Sequence, residues 1–345
     1  MKKIKVFLGG YINYTNAQNL NCRAIAEHLN KDKFEVYALK VHFGDNKKYT
    51  SKSFNCFKPF HVTQHFGFLW GILHCDVAYL PKHIDTPVWV LKLAKWLKKP
   101  IFTTIEGNVT DLGKPNLIEL FRSQQKMKNH FIYFNAVFGI TQQLINSTHQ
   151  VIKMRKTPLF LGVDLNFFSH HNKEKLSSIV FVGGLIKRKR VEEFLRLAEH
   201  FSNLQFHIIG EGPEGEKLKQ TASKNVVFHG VLNHKEMDAI FSSSDLLFLP
   251  SKSEGFPKVI LEAASAGVPS VVYDSYGVSE WMDNRKNGFV VSTFKQAEEL
   301  VNELLENPTL LQELSINTQE LSHRFDWKNI INDWENVIVD LYNGK

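Results

Sequence analysis

Apolar positions along this chain change period repeatedly, and each change marks an element. Residues 3–8 form a short apolar run that Gly9 and Gly10 end, the pattern of a strand followed by a glycine-led loop over 9–18. Leu20, Ala24, Ile25 and Leu29 then recur at helical spacing and predict a helix over 19–30. Apolar runs at 34–39, 76–79, 100–105 and 134–140 read as strands, with helices over 88–97 and from 141 to 150. Such βαβ alternation argues for a parallel sheet with helices on both faces.

The pattern restarts near residue 178. Strands over 178–182, 205–209, 226–229, 246–249 and 268–273 alternate with helices over 191–200, 234–242 and 257–266, and the last 50 residues read as helical. Pro257 opens the helix 257–266 and Gly267 stands just past its end, the asymmetry expected of helix termini. A polar stretch at 166–175 places a boundary between an N-terminal domain, 1–165, and a second domain that starts at 166. No internal repeat of solenoid period is present.

Composition narrows the class. The chain has 345 residues, enough for two α/β domains, and 43% hydrophobic with 22% charged residues is an ordered, soluble balance. Cys22, Cys56 and Cys75 stand at no metal or redox spacing and read as reduced, buried thiols, which suits a cytoplasmic protein. The opening MKKIKVFLGGY has too short an apolar stretch for a signal peptide, and the run 66–73 falls short of the ~20 residues that span a bilayer.

Charge is uneven. Residues 1–165 hold 23 Lys and Arg against 10 Asp and Glu, a net +13, whereas 166–345 hold 19 against 25, a net −6. The first half therefore predicts an anionic partner. Nucleic acid is set aside because no binding signature accompanies the charge, which leaves an anionic membrane surface. The helix 88–97 is expected to turn Trp89, Leu93, Trp96 and Leu97 to one side and Lys92, Lys95, Lys98 and Lys99 largely to the other. It reads either as a core-packing helix, which the βα alternation favours, or as one lying on a membrane.

Candidate chemistry collects where an open parallel sheet binds ligands, beyond the carboxyl ends of its strands. In the second half those ends carry Gly183 and Gly184 before Lys187–Arg190, then Gly210, then Glu254 and Gly255, then Gly277. A diphosphate needs cations and free backbone N–H groups; Arg188 and Lys189 supply the first, and the helix start at Gly255, Phe256 and Pro257 the second. Glu254 and Glu262 would repel phosphate but accept paired hydrogen bonds from vicinal hydroxyls, so the set suits a nucleotide sugar. Plainer readings stand beside these: Lys187–Arg190 as a solvated helix start, and Glu262 paired with Lys258 at i, i+4.

The segment SEGFPKVILEAASAGVPSVV, with its two glutamates eight positions apart, resembles the E-x(7)-E signature of glycosyltransferase family 4. IVFVGGLIKRKRVEEFLRLAEHF, FHIIGEGPEGEKL and SYGVSEWMDNRKNGFVV resemble the family's flanking segments in order, and PLFLGVDLNFF its segment before the interdomain linker. The resemblance is strong over 178–292 and diffuse over 1–150. It implies a GT-B fold: two Rossmann-like α/β domains facing each other across a cleft, with 166–325 binding the nucleotide sugar and 326–345 returning as a helix to the first domain.

What the family implies chemically is transfer of a sugar, with retention, from a nucleotide-sugar donor to a glycan or lipid-linked acceptor, without a metal or other cofactor. The setting would be polysaccharide or lipopolysaccharide synthesis, by a cytoplasmic protein peripheral to the inner face of the membrane. Carried over, Glu262 would hold the ribose, and Glu254, Gly255 and Phe256 the donor sugar. Arg188 and Lys189 would stabilise the leaving diphosphate, and Gly9 and Gly10 would form a loop near it. Gly183, Gly184, Gly210, Pro257 and Lys258 complete the donor side. Many relatives carry a histidine after the strand matching 101–105, where this chain has Glu106. That glutamate could contact a hydroxyl or act as a base. Two alternatives stay open, a sugar-nucleotide 2-epimerase and a non-catalytic nucleotide-sugar-binding subunit.

Overall fold

A computed structural model describes residues 2–107, 109, 116–148 and 150–344. It divides into two compact units, Met1–Gly162 with Trp327–Lys345, and Val163–Asp326. Each is an α/β unit around one parallel six-stranded sheet.

The first unit runs β1 (Ile4–Tyr11), α1 (Ala17–His28), β2 (Phe34–Val41), β3 (Lys52–Cys56), α2 (Phe60–His74), β4 (Val77–Tyr79), α3 (Val88–Trp96), β5 (Ile101–Ile105), α4 (Leu117–Leu120), α5 (Gln124–Phe131), β6 (Ala136–Gly139) and α6 (Gln142–Thr148). Residue 149, inside the expected helix 141–150, lies outside the described residues. Sheet order is β3-β2-β1-β4-β5-β6, so the chain reverses its direction of travel between β1 and β4. Val6, Phe7 and Leu8 of the central strand are fully buried, as expected of a strand covered on both faces.

Gly9 and Gly10 correct an expectation. They do not open a loop: β1 continues to Tyr11, and its register with β2 shifts between Leu8 and Tyr11. A Cβ on Gly9 would meet Leu80 at 2.7 Å, and one on Gly10 would meet the Cys22 sulfur at 2.7 Å. Both glycines therefore mark a strand irregularity where neighbouring side chains close onto the backbone.

In the first unit β3, α2, α4 and α5 escaped the sequence pattern, the first two for clear physical reasons. The edge strand β3 is polar and half-exposed, so it has no apolar run to detect. The helix α2 is apolar almost all round, and its period is hidden by Gly67 and Gly71. Those glycines face the sheet: a Cβ on Gly71 would lie 2.3 Å from the Phe7 ring. On α3 the buried residues are Val90, Leu91 and Ala94, with Trp89 and Trp96 exposed, which corrects the expected apolar face. Its stripe against the sheet is narrow, because small and branched side chains suffice there.

The second unit runs β7 (Ser178–Val182), α7 (Val191–His200), β8 (Gln205–Ile209), α8 (Gly215–Thr221), β9 (Val226–Gly230), α9 (His234–Ser242), β10 (Leu246–Leu249), α10 (Lys258–Ser265), β11 (Ser270–Tyr273), β12 (Phe289–Val291), α11 (Phe294–Glu306) and α12 (Pro308–Arg324). Sheet order is β12-β11-β10-β7-β8-β9, the same topology as the first sheet, with its reversal between β7 and β10. α7 buries Val191, Phe194, Leu195, Leu197 and Ala198 on one stripe, and α9 starts in a reciprocal capping box between Asn233 and Glu236. α10 begins one residue later than expected, with Pro257 as its N-cap, and Gly267 follows it at φ +78°.

The last helix, α13 (Trp327–Tyr342), belongs to the first unit. Trp334 is fully buried against Tyr79, with ring centroids 5.0 Å apart, and its Nε1 donates to the Phe160 carbonyl at 2.9 Å. Glu335 accepts from the Asn30 backbone N–H at 2.8 Å and pairs with Lys33 at 3.3 Å.

Candidate active site

In the second unit the loops that leave β7 and β10 flank the point where strand order reverses, the position at which doubly wound sheets bind ligands. The β7 loop is shaped by glycine. Gly183 sits at φ +154° and Gly210, after β8, at φ +130°; a Cβ on Gly210 would lie 2.0 Å from the Gly183 carbonyl oxygen. Leu185 donates its backbone N–H to the Glu211 carbonyl at 2.9 Å, so the two loops are laced together. Gly184 has open space, its nearest neighbour being the Glu211 carbonyl at 3.8 Å. The loop ends in a single 3-10 turn, Lys187–Lys189, and Arg190 takes a left-handed conformation at φ +49° before α7 starts. A side chain held in that region carries local strain of about 1 kcal/mol or more, tolerated where surroundings enforce it.

The structure brings Arg188, Lys189 and Glu254 together. Lys189 Nζ lies 2.6 Å from Glu254 Oε1, and Arg188 Nη1 lies 3.1 Å from Oε2. Arg188 also donates to the Ser253 carbonyl, while Lys252 N–H donates to the Arg188 carbonyl at 2.9 Å. Burial pushes the Glu254 carboxyl up, but Lys189, the Ser251 hydroxyl and Arg188 outweigh it and hold the group below its usual range. The expected division of labour, cations for phosphate and carboxylate for sugar, is thus joined by a direct contact between the two sets.

Behind Glu254 the Tyr276 hydroxyl is buried with no hydrogen-bond partner among the described residues, and burial, followed by the Glu254 and Asp274 charges, raises its pKa well above normal. The sequence pattern put Tyr276 just past the strand expected over 268–273 and inside SYGVSEWMDNRKNGFVV, but only the fold sets its hydroxyl near Glu254. Gly255 and Phe256 lead into α10, which has Pro257 as its N-cap and no side-chain cap hydrogen bond among the described residues. The Phe256 ring packs against Trp281 at 5.4 Å and Phe325 at 5.5 Å, so its side chain anchors the helix start.

Glu262, one turn into α10, is half-buried. Desolvation pushes its carboxyl up to about 7, against the pull of Lys258 four residues earlier. A cavity of about 450 Å³ lies beside the β8 end, lined by Leu185, Gly210, Glu211, Gly212, Phe228 and Gly230 among others.

In the first unit Glu106 follows β5. Asn21 Nδ2 donates to its Oε2 at 3.2 Å and Thr104 Oγ1 to its Oε1 at 3.2 Å, and Thr104 is in turn bonded to the Tyr79 hydroxyl at 2.6 Å. Lys82, after β4, is buried with its ammonium 4.7 Å over the Tyr11 ring. His83 and His130 are also buried; His83 Nε2 meets the Thr104 carbonyl at 3.1 Å. Burial lowers His83 to about 3 and His130 to about 4, so both are neutral core residues. A larger cavity, about 770 Å³, opens beside Asn135 and Ala136 at the amino end of β6, away from the ligand-binding edge of that sheet.

Comparison with known proteins fits this geometry. Residues 163–321 match the family model described as Glycosyl transferases group 1, so the second unit carries the sequence pattern of that group. An alpha-galactosylglucosyldiacylglycerol synthase of Streptococcus pneumoniae is 27% identical over 162 residues, 44% of this chain and 43% of that protein. An N,N'-diacetylbacillosaminyl-diphospho-undecaprenol alpha-1,3-N-acetylgalactosaminyltransferase of Campylobacter jejuni is 27% identical over 312 residues, 82% of each. The chain spans about half the length of several curated relatives it matches, 43%, 47% and 57% in three cases.

Among solved structures, sucrose-phosphate synthase of Thermosynechococcus elongatus aligns over 100% of both chains with a TM-score of 0.81 at 14% identity. Anabaena Alr3699/HepE in complex with UDP-glucose aligns over 98% of this chain and 100% of that one, with a TM-score of 0.76 at 15% identity. At these identities the likeness establishes the fold, which is the α/β GT-B class.

Proposed function

We propose that this protein is a retaining glycosyltransferase that takes a hexosyl group from a nucleotide-sugar donor and gives it to a lipid-linked or glycan acceptor. The observation that carries the reading is the cluster of Lys189, Arg188 and Glu254 at the reversal point of the second sheet, on the loops that leave β7 and β10. Two cations and a helix start suit a departing diphosphate, whose charge grows as the glycosidic bond breaks. No metal is needed for that task in this reading. Glu254 then serves both as a hydroxyl acceptor and as the group that aligns the cations. Glu262 takes the ribose, and the 450 Å³ cavity the base.

The first unit is assigned the acceptor, with Glu106 as the group that contacts a hydroxyl. Asn21 and Thr104 fix its orientation, which a hydrogen-bonding role requires. The S. pneumoniae and C. jejuni relatives, by their names, build a glycolipid and act on a diphospho-undecaprenol, which supports a lipid-linked acceptor and a place at the membrane surface. Among the described residues no helix is long and apolar enough to cross a membrane. Retention rests on the resemblance to family 4.

A thermal-shift screen against UDP, GDP, ADP and their sugars, repeated with Glu262→Ala, tests the donor assignment. The expected result is one stabilising nucleotide whose effect is lost in the variant. Stabilisation by none of them would overturn the reading. The anomeric configuration of a product, read by proton coupling in NMR, then tests retention, and epimer formation without acceptor would favour the epimerase instead.

A further inference from the structure

Most exposed large apolar side chains among the described residues belong to the first unit. Two of its helices carry the densest set. α2 packs on the sheet through Thr63, Gly67, Phe68, Gly71 and Ile72, and so turns Val62 and Phe66 outward, Phe66 with 57% exposure. α3 packs through Val90, Leu91 and Ala94 and turns Trp89 and Trp96 outward, with 39% and 77% exposure. These residues are not spare core, since each helix already has a complete buried stripe.

The two outer faces are joined. The Trp89 ring lies 5.9 Å from His65 of α2, and its Nε1 donates to His65 Nδ1 at 3.3 Å. At the start of α2, Phe60 packs on Phe43 at 6.2 Å, and Phe43 on Tyr14 at 5.5 Å. Phe43 and Tyr14 are exposed and follow the carboxyl ends of β2 and β1. An apolar surface thus runs from the outer helices to the strand-end rim.

Charge identifies the occupant. Besides the buried Lys82, residues 57–99 contain five lysines and no arginine, against two aspartates and no glutamate. Lys92 lies exposed on the same face as Trp89 and Trp96, with exposed Lys95 beside it. Tryptophan prefers the boundary between headgroups and acyl chains, and lysine beside it reaches anionic phosphates. A second copy of this chain would oppose one lysine-rich surface with another, which disfavours self-association.

We infer that the outer face of α2 and α3 is a docking surface for an anionic lipid bilayer, with Phe66, Trp89 and Trp96 entering the interface and Lys92 and Lys95 at the phosphates. The link to a lipid-borne acceptor rests on the proposed function; the docking face stands on the exposed residues alone.

Co-sedimentation with vesicles of phosphatidylcholine, with and without phosphatidylglycerol, tests it at low salt. Wild type is expected to sediment only with the anionic vesicles, with a blue shift of tryptophan emission. F66E/W96E should lose at least about tenfold in partition, and K92Q/K95Q about fivefold per lysine. Both positions of the first variant are exposed, so an unchanged unfolding temperature should accompany the loss. Absence of wild-type binding, equal binding by F66E/W96E, or a dimer that this variant dissociates would each overturn the proposal. Thermal shifts with UDP, GDP, ADP and their sugars on the same samples separate the two readings. Vesicle binding without any nucleotide effect sinks the donor assignment and leaves the docking face. A nucleotide effect without vesicle binding sinks the docking face alone.

Discussion

Lys189 Nζ lies 2.6 Å from Glu254 Oε1, and the two side chains keep only 12% and 8% of their exposure. Under the proposed function, the cation assigned to the donor diphosphate is thus held by the carboxylate assigned to the donor sugar. Arg188 shares the same carboxylate from its other oxygen at 3.1 Å. On that reading an incoming diphosphate has to share the two cations with Glu254 or displace it.

That competition can be measured. Glu254→Gln removes the negative charge and leaves the shape, so pyrophosphate or UDP should bind more tightly, by roughly tenfold or ~1.4 kcal/mol. Sugar transfer should fall, because the sugar loses its acceptor and the cations lose their alignment. Calorimetry with pyrophosphate is the check, and unchanged affinity would remove the competition. The same variant should be less stable by about 1–3 kcal/mol, since a mostly buried charged hydrogen-bond acceptor is lost.

Glu262 supplies a pH signature. Its carboxyl is pushed up to about 7, so near neutrality the free protein holds it partly protonated. A ribose diol donates hydrogen bonds and favours the ionised form, so binding should release protons at pH 6–7 and tighten as pH rises through that range. UDP-glucose suits the test because its diphosphate diester does not titrate there. Calorimetry in buffers of different ionisation enthalpy should detect the release in wild type, and Glu262→Gln should abolish it.

Much of this was legible in the sequence, and the limits are physical. The second unit has short strands of consecutive apolar residues bounded by glycine and charge, and five of its elements, β7, α7, β8, α9 and β10, occupy the predicted ranges. The first unit hides its pattern: β3 is polar, α2 is apolar all round, and Gly9 and Gly10 look like a turn but serve packing inside β1. Residue types at the site were visible, but not their pairing. Nothing in the spacing of Lys189 and Glu254, 65 positions apart, says that one holds the other. Tyr276 stands in a family-like segment at a strand end, but neither feature says that its hydroxyl is buried near Glu254.

Acid should act on the first unit through two buried histidines. His83 is lowered to about 3 and His130 to about 4 by burial, from an ordinary value of 6.5. Between those values the unfolded chain binds protons that the folded unit refuses, so stability is fully present above about pH 6.5 and declines as pH falls below it. The slope is about 1.4 kcal/mol per pH unit for each such histidine at its limit. Glu254 adds a later loss in the second unit: its stabilisation holds above the ordinary 4.5 and disappears as pH falls through its lowered folded value. Calorimetric unfolding at pH 7, 6 and 5 should show a falling midpoint that His83→Gln makes shallower.

The glycines of the β7 and β8 loops separate packing from binding. Gly210→Ala puts a Cβ 2.0 Å from a backbone oxygen at φ +130°, where no side chain can move aside. It should cost at least about 2–4 kcal/mol and lower the unfolding temperature whatever the ligand. Gly184→Ala meets nothing nearer than 3.8 Å and has no positive φ, so stability should be nearly unchanged. If the backbone at Gly184 approaches the donor diphosphate, the added methyl stands in its way, and nucleotide-sugar affinity should fall by about tenfold, ~1.4 kcal/mol, at constant stability. Measuring both quantities on both variants is decisive: wild-type affinity in Gly184→Ala would place the diphosphate elsewhere in the second unit, away from the loop that carries Arg188 and Lys189.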